Sequence, residues 1–437
     1  MNLKPQEICR LNKGAYGLID APYLWYCALG NELLRLGFEA CPFDPCCFVL
    51  RTPATDSQDT KLEGILRIHV DDGIGGGSPV FEKAIQQLEK TFSIRFTQKV
   101  SAFTFTGIEL NQHQDSSITM NQSAYVRKIK PIAIEANRKS QLEHPLTESE
   151  RLALRGLVGS LQYAAINTRP DLSSKLSFLQ STINHEIETL MEANRLLHEA
   201  KKHHGVTTTI KPIPYNAFRF LAFSDASFSS ATKPDSHAGS IIVGTHSDIN
   251  QNCQCPISPL TWRCRKIQKV VTSTLSAETM ALSSTLDQLS WLRLFWSWIH
   301  DPTVQWKKPE DALLKLAPAL TVPTRSEDAD LTITDCKILF DLITRTAPPS
   351  CSEFRVQLMA RAIKESLREG TILRWVPSGA QLAAALTKAI ESNFLRETLR
   401  LGYYKLCDEA STLKERAKTK DRLRWLRSQT ESQSNKT

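Results

Sequence analysis

The chain has 437 residues, 41% of them hydrophobic and 23% charged, the composition of a globular protein with two or three domains of roughly 100–200 residues each. Its net charge of +8 favours a polyanionic partner without establishing one. The eleven cysteines are scattered, odd in number and without metal-site spacing, which excludes a disulfide framework and favours a reduced intracellular compartment, cytoplasm or nucleus. Residues 1–5 begin no signal peptide. The most apolar segment, Leu282–Ile299, contains Asp287 and Arg293, so we expect no membrane-spanning helix.

The first predicted helix begins at Ala21, with Asp20 as its cap, and ends at Gly37. Apolar side chains recur along one face of this helix at helical spacing, which predicts that the helix packs on a sheet. That face consists of Trp25, Leu29, Leu33 and Leu36.

Two adjacent carboxylates, Asp71 and Asp72, follow the predicted strand Ile65–Val70 and precede the glycine-rich segment Gly73–Gly77. Alternating apolar residues predict the strand, and the glycines permit a hairpin. Neighbouring ionised carboxylates repel each other, so a tight turn that contains both favours a bound cation. An ordinary Asp-Asp-Gly turn is the alternative. The strand is predicted to pair with Phe48–Leu50, and a helix follows it. That helix covers Val80–Phe92.

From about Ala124 to His204 the pattern is helical, with Thr168 predicted to cap a helix that starts at Pro170. The segment Lys211–Pro214 indicates a linker, and strands alternate with helices after it. The predicted strands are Phe218–Phe223, Ser240–Val243 and Leu260–Cys264, and the predicted long helix is Leu275–Ile299.

A second group of carboxylates is distributed over this later part of the chain. Asp225 and Asp335 each end an apolar strand, and Glu278 lies near the start of the long helix. In an α/β domain, two strand ends and one helix start can bring their carboxylates together around one or two Mg²⁺ ions, which prefer hard oxygen ligands. Each carboxylate taken singly is more simply a solvated acid or a strand-end cap, so the prediction depends on their order and context.

The region around Asp71 and Asp72 resembles the reverse transcriptase of copia-type long-terminal-repeat retrotransposons. The family has Tyr-Val-Asp-Asp where this chain has His69-Val70-Asp71-Asp72. Three further segments are similar to family motifs in the same order, and the resemblance extends to about residue 390. They are Leu11–Tyr26, similar to K-x-L-Y-G-L-x-x-A-P-x-x-W-Y; Phe105–Leu110, similar to F-L-G-I; and Val158–Leu172, similar to V-G-S-L-x-Y followed by T-R-P-D-L.

This resemblance implies an RNA-directed DNA polymerase in which Asp71 and Asp72 are catalytic residues and ligands of Mg²⁺. The family uses a third carboxylate on a strand upstream of the first motif, together with the fingers that hold the nucleotide. The chain begins at Met1, immediately before that motif, so we expect a truncated palm that does not polymerise alone. The substitution of His69 for tyrosine leaves its effect on nucleotide handling open.

The segments around Asp225, Glu278 and Asp335 resemble the RNase H domain that follows copia-type reverse transcriptases. This likeness implies that all three are catalytic and ligate Mg²⁺, or Mn²⁺. The fourth acidic motif, Q-L-A-D-x-L-T-K in the family, corresponds to Gln381–Lys388. Ala384 stands at its acidic position, and a methyl group cannot ligate a cation, so the ligand set is one residue short.

We therefore predict an α+β fold, in which a truncated reverse-transcriptase palm and a helical connection precede an α/β RNase H-like domain. The predicted ranges are residues 1–132 for the partial reverse transcriptase, 133–216 for the helical connection, 217–392 for the RNase H-like domain and 393–437 for a basic polar tail. The lysines and arginines from Thr412 onward either follow a phosphate backbone or belong to a solvated helix.

Three functions remain open from the sequence. The first is a polymerase and ribonuclease H, or a fragment that keeps part of either activity, with RNA template and RNA/DNA hybrid as partners. The second is a catalytically impaired relic that still binds nucleic acid. The third is an interaction protein without a nucleic-acid role, which the positive charge disfavours. The oligomeric state is left open.

Overall fold

The computed structural model describes residues 17–53, 60–93, 101–181, 186–228, 235–301, 304, 329–368, 370–388 and 392–406. Residues 11–16 of the first motif and the predicted basic segment Thr412–Thr437 lie outside these ranges. The chain divides into two compact units, the first formed by Met1–Lys99 with Leu292–Leu316 and the second by Val100–Trp291 with Ala317–Thr437. The α+β class predicted from the sequence is confirmed.

The first unit contains a four-stranded antiparallel sheet and two helices. Leu29 and Leu33 of the first helix are buried against Phe48 and Phe81, as its apolar face predicts. The helix ends where predicted, because Gly37 adopts φ +91°, a left-handed conformation that glycine reaches without strain. The sheet order follows the chain. The elements are α1 (Ala21–Arg35), β1 (Phe38–Ala40), β2 (Cys47–Pro53), β3 (Thr60–His69), β4 (Asp72–Gly77) and α2 (Pro79–Phe92).

In the second unit, a four-stranded antiparallel sheet adjoins a helical region with its own apolar core. The longest helix of this region starts with a capping box, in which Thr147 and Glu150 satisfy each other's backbone N–H groups. The strands are β5 (Ala102–Phe105), β6 (Ile108–Gln112), β7 (Ile118–Asn121) and β8 (Thr208–Ile210). The helices are α3 (Ser123–Lys128), α4 (Ala136–Lys139), α5 (Glu148–Asn167), α6 (Ser173–Ser181) and α7 (Ile187–Lys202).

A six-stranded mixed sheet forms the rest of the second unit, in the order β13-β12-β9-β10-β11-β14. Strand β12 pairs in parallel with β9 and β13, and the other pairs are antiparallel. The strands are β9 (Phe218–Ser227), β10 (His237–His246), β11 (Gln254–Lys266), β12 (Asp330–Thr334), β13 (Thr371–Trp375) and β14 (Tyr403–Lys405). The helices are α8 (Thr274–His300), α9 (Lys337–Thr344), α10 (Phe354–Leu367), α11 (Ala384–Thr387) and α12 (Asn393–Leu401), and α8 belongs to the second unit only as far as Trp291.

Three sequence expectations are corrected by the structure. Asp20 directly precedes α1, but its side chain makes no capping hydrogen bond. Thr168 does not cap the helical turn Pro170–Leu172; it follows the end of α5, and its hydroxyl donates to Oε1 of Gln122 at 2.9 Å. The globular part also continues beyond residue 392, because α12 and β14 bury apolar side chains in the core of the six-stranded sheet. An amphipathic nine-residue helix is hard to separate from a charged tail by composition alone.

Candidate metal centre

The six-stranded sheet places Asp225 and Asp335 side by side. Leu331, Thr332 and Ile333 of β12 pair in parallel with Leu221, Ala222 and Phe223 of β9. Continuing this register by two residues brings Asp335, directly after β12, level with Asp225 in β9. Glu278 is presented from the start of α8.

The three carboxylates converge as the sequence predicted. One ligand oxygen from each lies within 4.8 Å of the others, and this is a possible metal site among the described residues. Asp225 is 0% exposed and Glu278 is 5% exposed, whereas Asp335 is half-buried. Oε2 of Glu278 is buried without a hydrogen-bond partner. A buried carboxylate oxygen without a donor is costly, and a cation in the cluster would satisfy it.

The electrostatics of the cluster reflect this crowding. Burial, together with the charges of Asp225 and Asp335, raises the pKa of Glu278 to about 9. Burial also raises the pKa of Asp225 to about 6, with the Asp335 carboxylate adding to the effect and the Lys388 ammonium opposing it. Without a divalent cation, the pKa of Glu278 therefore keeps a proton on the cluster at neutral pH.

The motif Gln381–Lys388 packs directly over Asp225. The Thr387 hydroxyl donates to Oδ2 of Asp225, and Nζ of Lys388 lies 3.0 Å from Oδ1. Ala384 is buried in α11 and presents only its methyl group. Thr387 and Lys388 both belong to the motif that resembles the family, but their contacts with Asp225 were not predicted from the sequence.

Asp335 is held by neighbours from the end of β13 and from the segment that follows it. The Ser378 hydroxyl donates to its Oδ2 at 2.6 Å, and the Trp375 indole donates to its backbone carbonyl at 2.9 Å. These contacts hold one carboxylate of the cluster in place without neutralising its charge.

The donor set fits a hard divalent cation. It consists of carboxylate oxygens, one of them unpartnered, and it contains neither thiolate nor imidazole. Oxygen ligands of Mg²⁺ lie about 2.9 Å apart when adjacent and about 4.2 Å apart when opposite, so the carboxylates would move closer together to bind one ion directly.

Asp71 and Asp72 lie at the tip of the β3–β4 hairpin in the first unit, as predicted. His69 pairs with Asp72 across a two-residue loop of Val70 and Asp71, and both aspartates are exposed. The Trp25 indole donates to the Val70 carbonyl at 3.0 Å, which ties the hairpin tip to α1. Among the residues that the structure describes, no third His, Cys, Asp or Glu joins the two carboxylates in a possible metal group.

Comparison with known proteins agrees with this architecture. Residues 1–140 match the family model of the reverse transcriptase (RNA-dependent DNA polymerase). The Retrovirus-related Pol polyprotein from transposon RE1 of Arabidopsis thaliana is 27% identical over 308 residues, which cover 66% of this chain and 19% of that protein. The corresponding polyprotein from transposon TNT 1-94 of Nicotiana tabacum is 22% identical over 314 residues. These residues cover 67% of this chain and 22% of that protein.

Residues 1–140 are therefore similar to a reverse transcriptase, and the carboxylate cluster lies outside this matched region. The chain is similar to retrovirus-related Pol polyproteins of transposons, in agreement with the resemblance to copia-type retrotransposons seen in the sequence. The chain spans about a fifth of the length of these curated relatives.

Solved structures with some likeness include the foamy viral protease-reverse transcriptase in complex with an RNA/DNA hybrid. It is 13% identical, covers 86% of this chain and 40% of that chain, and has a TM-score of 0.38. RNase H1 from the archaeon Halobacterium salinarum is 14% identical and has a TM-score of 0.24. The match covers 38% of this chain and 93% of that chain. These scores do not establish a shared overall fold. In the described part of the chain, no helix has both the length and the apolar character needed to cross a membrane.

Proposed function

We propose that Asp225, Glu278 and Asp335 form the metal centre of a ribonuclease H that acts on the RNA strand of an RNA/DNA hybrid. The observation that carries the proposal is the buried convergence of three carboxylates within 4.8 Å, with Oε2 of Glu278 unpartnered. The proposed cofactor is Mg²⁺ or Mn²⁺. RNA template and RNA/DNA hybrid are the proposed partners.

The bound metal would activate water for attack on the phosphodiester and stabilise the leaving oxygen. Asp225 and Glu278 would hold it with side chains that are themselves buried, which strengthens their interaction with a cation. Ser378 and Thr387 orient the Asp335 and Asp225 carboxylates. Ala384 supplies no oxygen, so we expect weak cleavage that Mn²⁺ supports better than Mg²⁺.

The test follows cleavage of end-labelled RNA in an RNA/DNA hybrid with Mg²⁺ or Mn²⁺. Asp225→Asn should abolish cleavage, and Ala384→Asp should increase it by adding a ligand oxygen. Thermal unfolding of both variants controls for loss of the fold. If Ala384→Asp folds and leaves cleavage unchanged while Asp225→Asn abolishes it, the missing ligand does not limit the reaction. If neither variant alters a measurable cleavage, the cluster is not the catalytic centre.

A second candidate function is hybrid binding without turnover, which the buried alanine at position 384 and the net charge of +8 favour. Binding would then be mainly electrostatic, because lysine and arginine contacts to phosphates release counterions. The logarithm of the association constant should fall linearly with the logarithm of salt concentration, with a slope of about −0.9 per neutralised phosphate for a B-form duplex. Fluorescence anisotropy of a labelled hybrid measures this slope. Absence of binding at low salt would instead favour the interaction protein.

A further inference from the structure

Lys388 stands out because its ammonium group contacts one carboxylate of the cluster. Nζ of Lys388 is 3.0 Å from Oδ1 of Asp225, whereas the Thr387 hydroxyl occupies Oδ2. Both oxygens of the most deeply buried carboxylate are therefore engaged by adjacent residues of one segment. The Lys388 side chain is 40% exposed, so the ammonium approaches from the solvent side.

The backbone of the sheet makes this approach possible. Gly239 of β10 pairs with Asp225 of β9. A Cβ atom at Gly239 would lie 2.5 Å from Cγ2 of Thr387 and 3.0 Å from Cβ of Leu386. Any larger residue would push this segment away from the sheet, and Lys388 would move with it. The position of the ammonium is thus built into the packing of the segment on β10.

Charge balance gives the ammonium a specific role. The charge of one divalent ion and one ammonium group equals the negative charge of three ionised carboxylates. The charge of two divalent ions would exceed it. The segment that carries Lys388 also carries Ala384, where the family motif has a fourth carboxylate. A site with one carboxylate fewer and an ammonium in contact with Asp225 is matched to a single divalent ion.

We infer that the Lys388 ammonium occupies one cation position of the cluster, so that the native site binds one divalent ion and Lys388 excludes a second. This inference rests on the proposed metal centre and assigns Lys388 as a positioning residue within it. The Asp225 carboxylate would interact with both the Lys388 ammonium and the divalent ion. The Glu278 and Asp335 carboxylates would interact with the ion and not with the ammonium.

The test measures Mn²⁺ binding to the full chain by electron paramagnetic resonance, which needs no turnover. The native protein should bind one ion at the cluster. Lys388→Met, which keeps an apolar stem, should bind Mn²⁺ roughly tenfold more tightly and take up a second ion. The unfolding temperature in Mn²⁺ should exceed the unfolding temperature in EDTA for both proteins, and this difference should be larger for Lys388→Met than for the native protein. Lys388→Arg should behave like the native protein, because it keeps the charge.

Lys266→Met is the matched control, since Nζ of Lys266 lies 2.6 Å from Oδ1 of Asp235 and its side chain is 32% exposed. It should leave Mn²⁺ affinity and stoichiometry unchanged. Asp225→Asn separates the two levels of the proposal. If Asp225→Asn does not weaken Mn²⁺ binding, the metal centre itself is wrong. If Asp225→Asn weakens binding while Lys388→Met keeps native affinity and stoichiometry, the centre stands and the role of Lys388 is overturned.

Discussion

Glu278 shows how strongly a single buried carboxylate can tie folding to metal and pH. Its pKa of about 9, which results from burial and the neighbouring charges of Asp225 and Asp335, lies far above the ordinary glutamate value of about 4.3. Because the folded pKa is raised, the folded state binds a proton that the unfolded state releases. The contribution of Glu278 to the free energy of unfolding is therefore most favourable below about pH 4.3. This contribution becomes steadily less favourable as the pH rises towards 9.

Glu278→Gln should remove this pH-dependent loss. In EDTA at pH 7, we expect the variant to be more stable than the native protein by about 1–3 kcal/mol, with a difference that grows between pH 5 and 8. Urea unfolding of both proteins at several pH values measures this difference in stability. Asp287→Asn, at an exposed position of the same helix, should leave the pH profile unchanged. Parallel profiles for the native protein and Glu278→Gln would contradict the prediction.

Asp171 is a buried carboxylate with the opposite behaviour. It accepts hydrogen bonds from Arg169 at 2.9 and 2.8 Å and from Arg396 at 2.8 Å. Burial opposes its ionisation, but the two guanidinium groups outweigh burial and hold its pKa below the ordinary value. Its stabilising contribution is therefore present above about pH 4 and is lost as pH falls through the folded pKa.

Asp171→Asn should leave two arginines without their shared counter-charge. We expect a loss of about 3–5 kcal/mol in the free energy of unfolding at pH 7, and a smaller difference from the native protein at pH 3. Glu365→Gln is the control, because its pair with Arg368 is exposed and should be worth at most about 1 kcal/mol. Equal effects of the two substitutions would refute a structural role for the buried network.

At the level of strands and helices, the glycines of the β3–β4 hairpin serve packing as well as the turn. A Cβ atom at Gly77 would lie 2.6 Å from Cβ of Phe81 and 2.4 Å from the Glu63 carbonyl oxygen. Gly64 and Gly75 are also in close contact with the Phe81 ring, which is 6% exposed. Helix α2 can therefore approach the sheet closely only where side chains are absent.

Gly77→Ala should separate α2 from the sheet. One of the atoms that the added methyl group meets is the Glu63 carbonyl oxygen, which cannot move aside as a flexible side chain can. We therefore expect the free energy of unfolding to fall by about 1–3 kcal/mol. Gly76→Ala lies on the same strand with no atom within 4 Å of the added methyl group, so it should be close to neutral. Denaturant unfolding of both variants provides the comparison, and a neutral Gly77→Ala would show that α2 is not packed as described.

For the molecule as a whole, the two acidic sites differ in completeness. Asp225, Glu278 and Asp335 form a group of three, whereas Asp71 and Asp72 are exposed without a third partner among the described residues. Two-metal phosphoryl transfer needs ligands on both the attacking and the leaving side, together with contacts to the triphosphate.

The 437-residue polypeptide should therefore show no primer extension on an RNA template with either Mg²⁺ or Mn²⁺. Extension assays with purified protein test this directly. Asp71→Asn serves as the matched variant, because extension by the native chain that disappears in Asp71→Asn would demonstrate a working polymerase site at the hairpin.

The sequence by itself determined where the acidic residues lie along their strands and turns, and much of the local structure. Paired aspartates before a run of glycines indicate a hairpin tip, and carboxylates at strand ends indicate a shared edge of a sheet, because turns and strand alternation depend on neighbouring residues. Strand β9 is longer than predicted, since Ser224 and Asp225 are polar yet buried, and periodicity treats polar residues as exposed.

Only the tertiary structure decided which distant side chains meet. Arg396 reaches Asp171 from 225 positions along the chain, and Lys388 reaches Asp225 from 163 positions. Periodicity reports which face of an element is buried, but the partner on that face depends on how the elements pack. The meeting of the three carboxylates was predicted because two strand ends and a helix start can come together in an α/β domain, whereas no such rule placed the Lys388 ammonium beside Asp225.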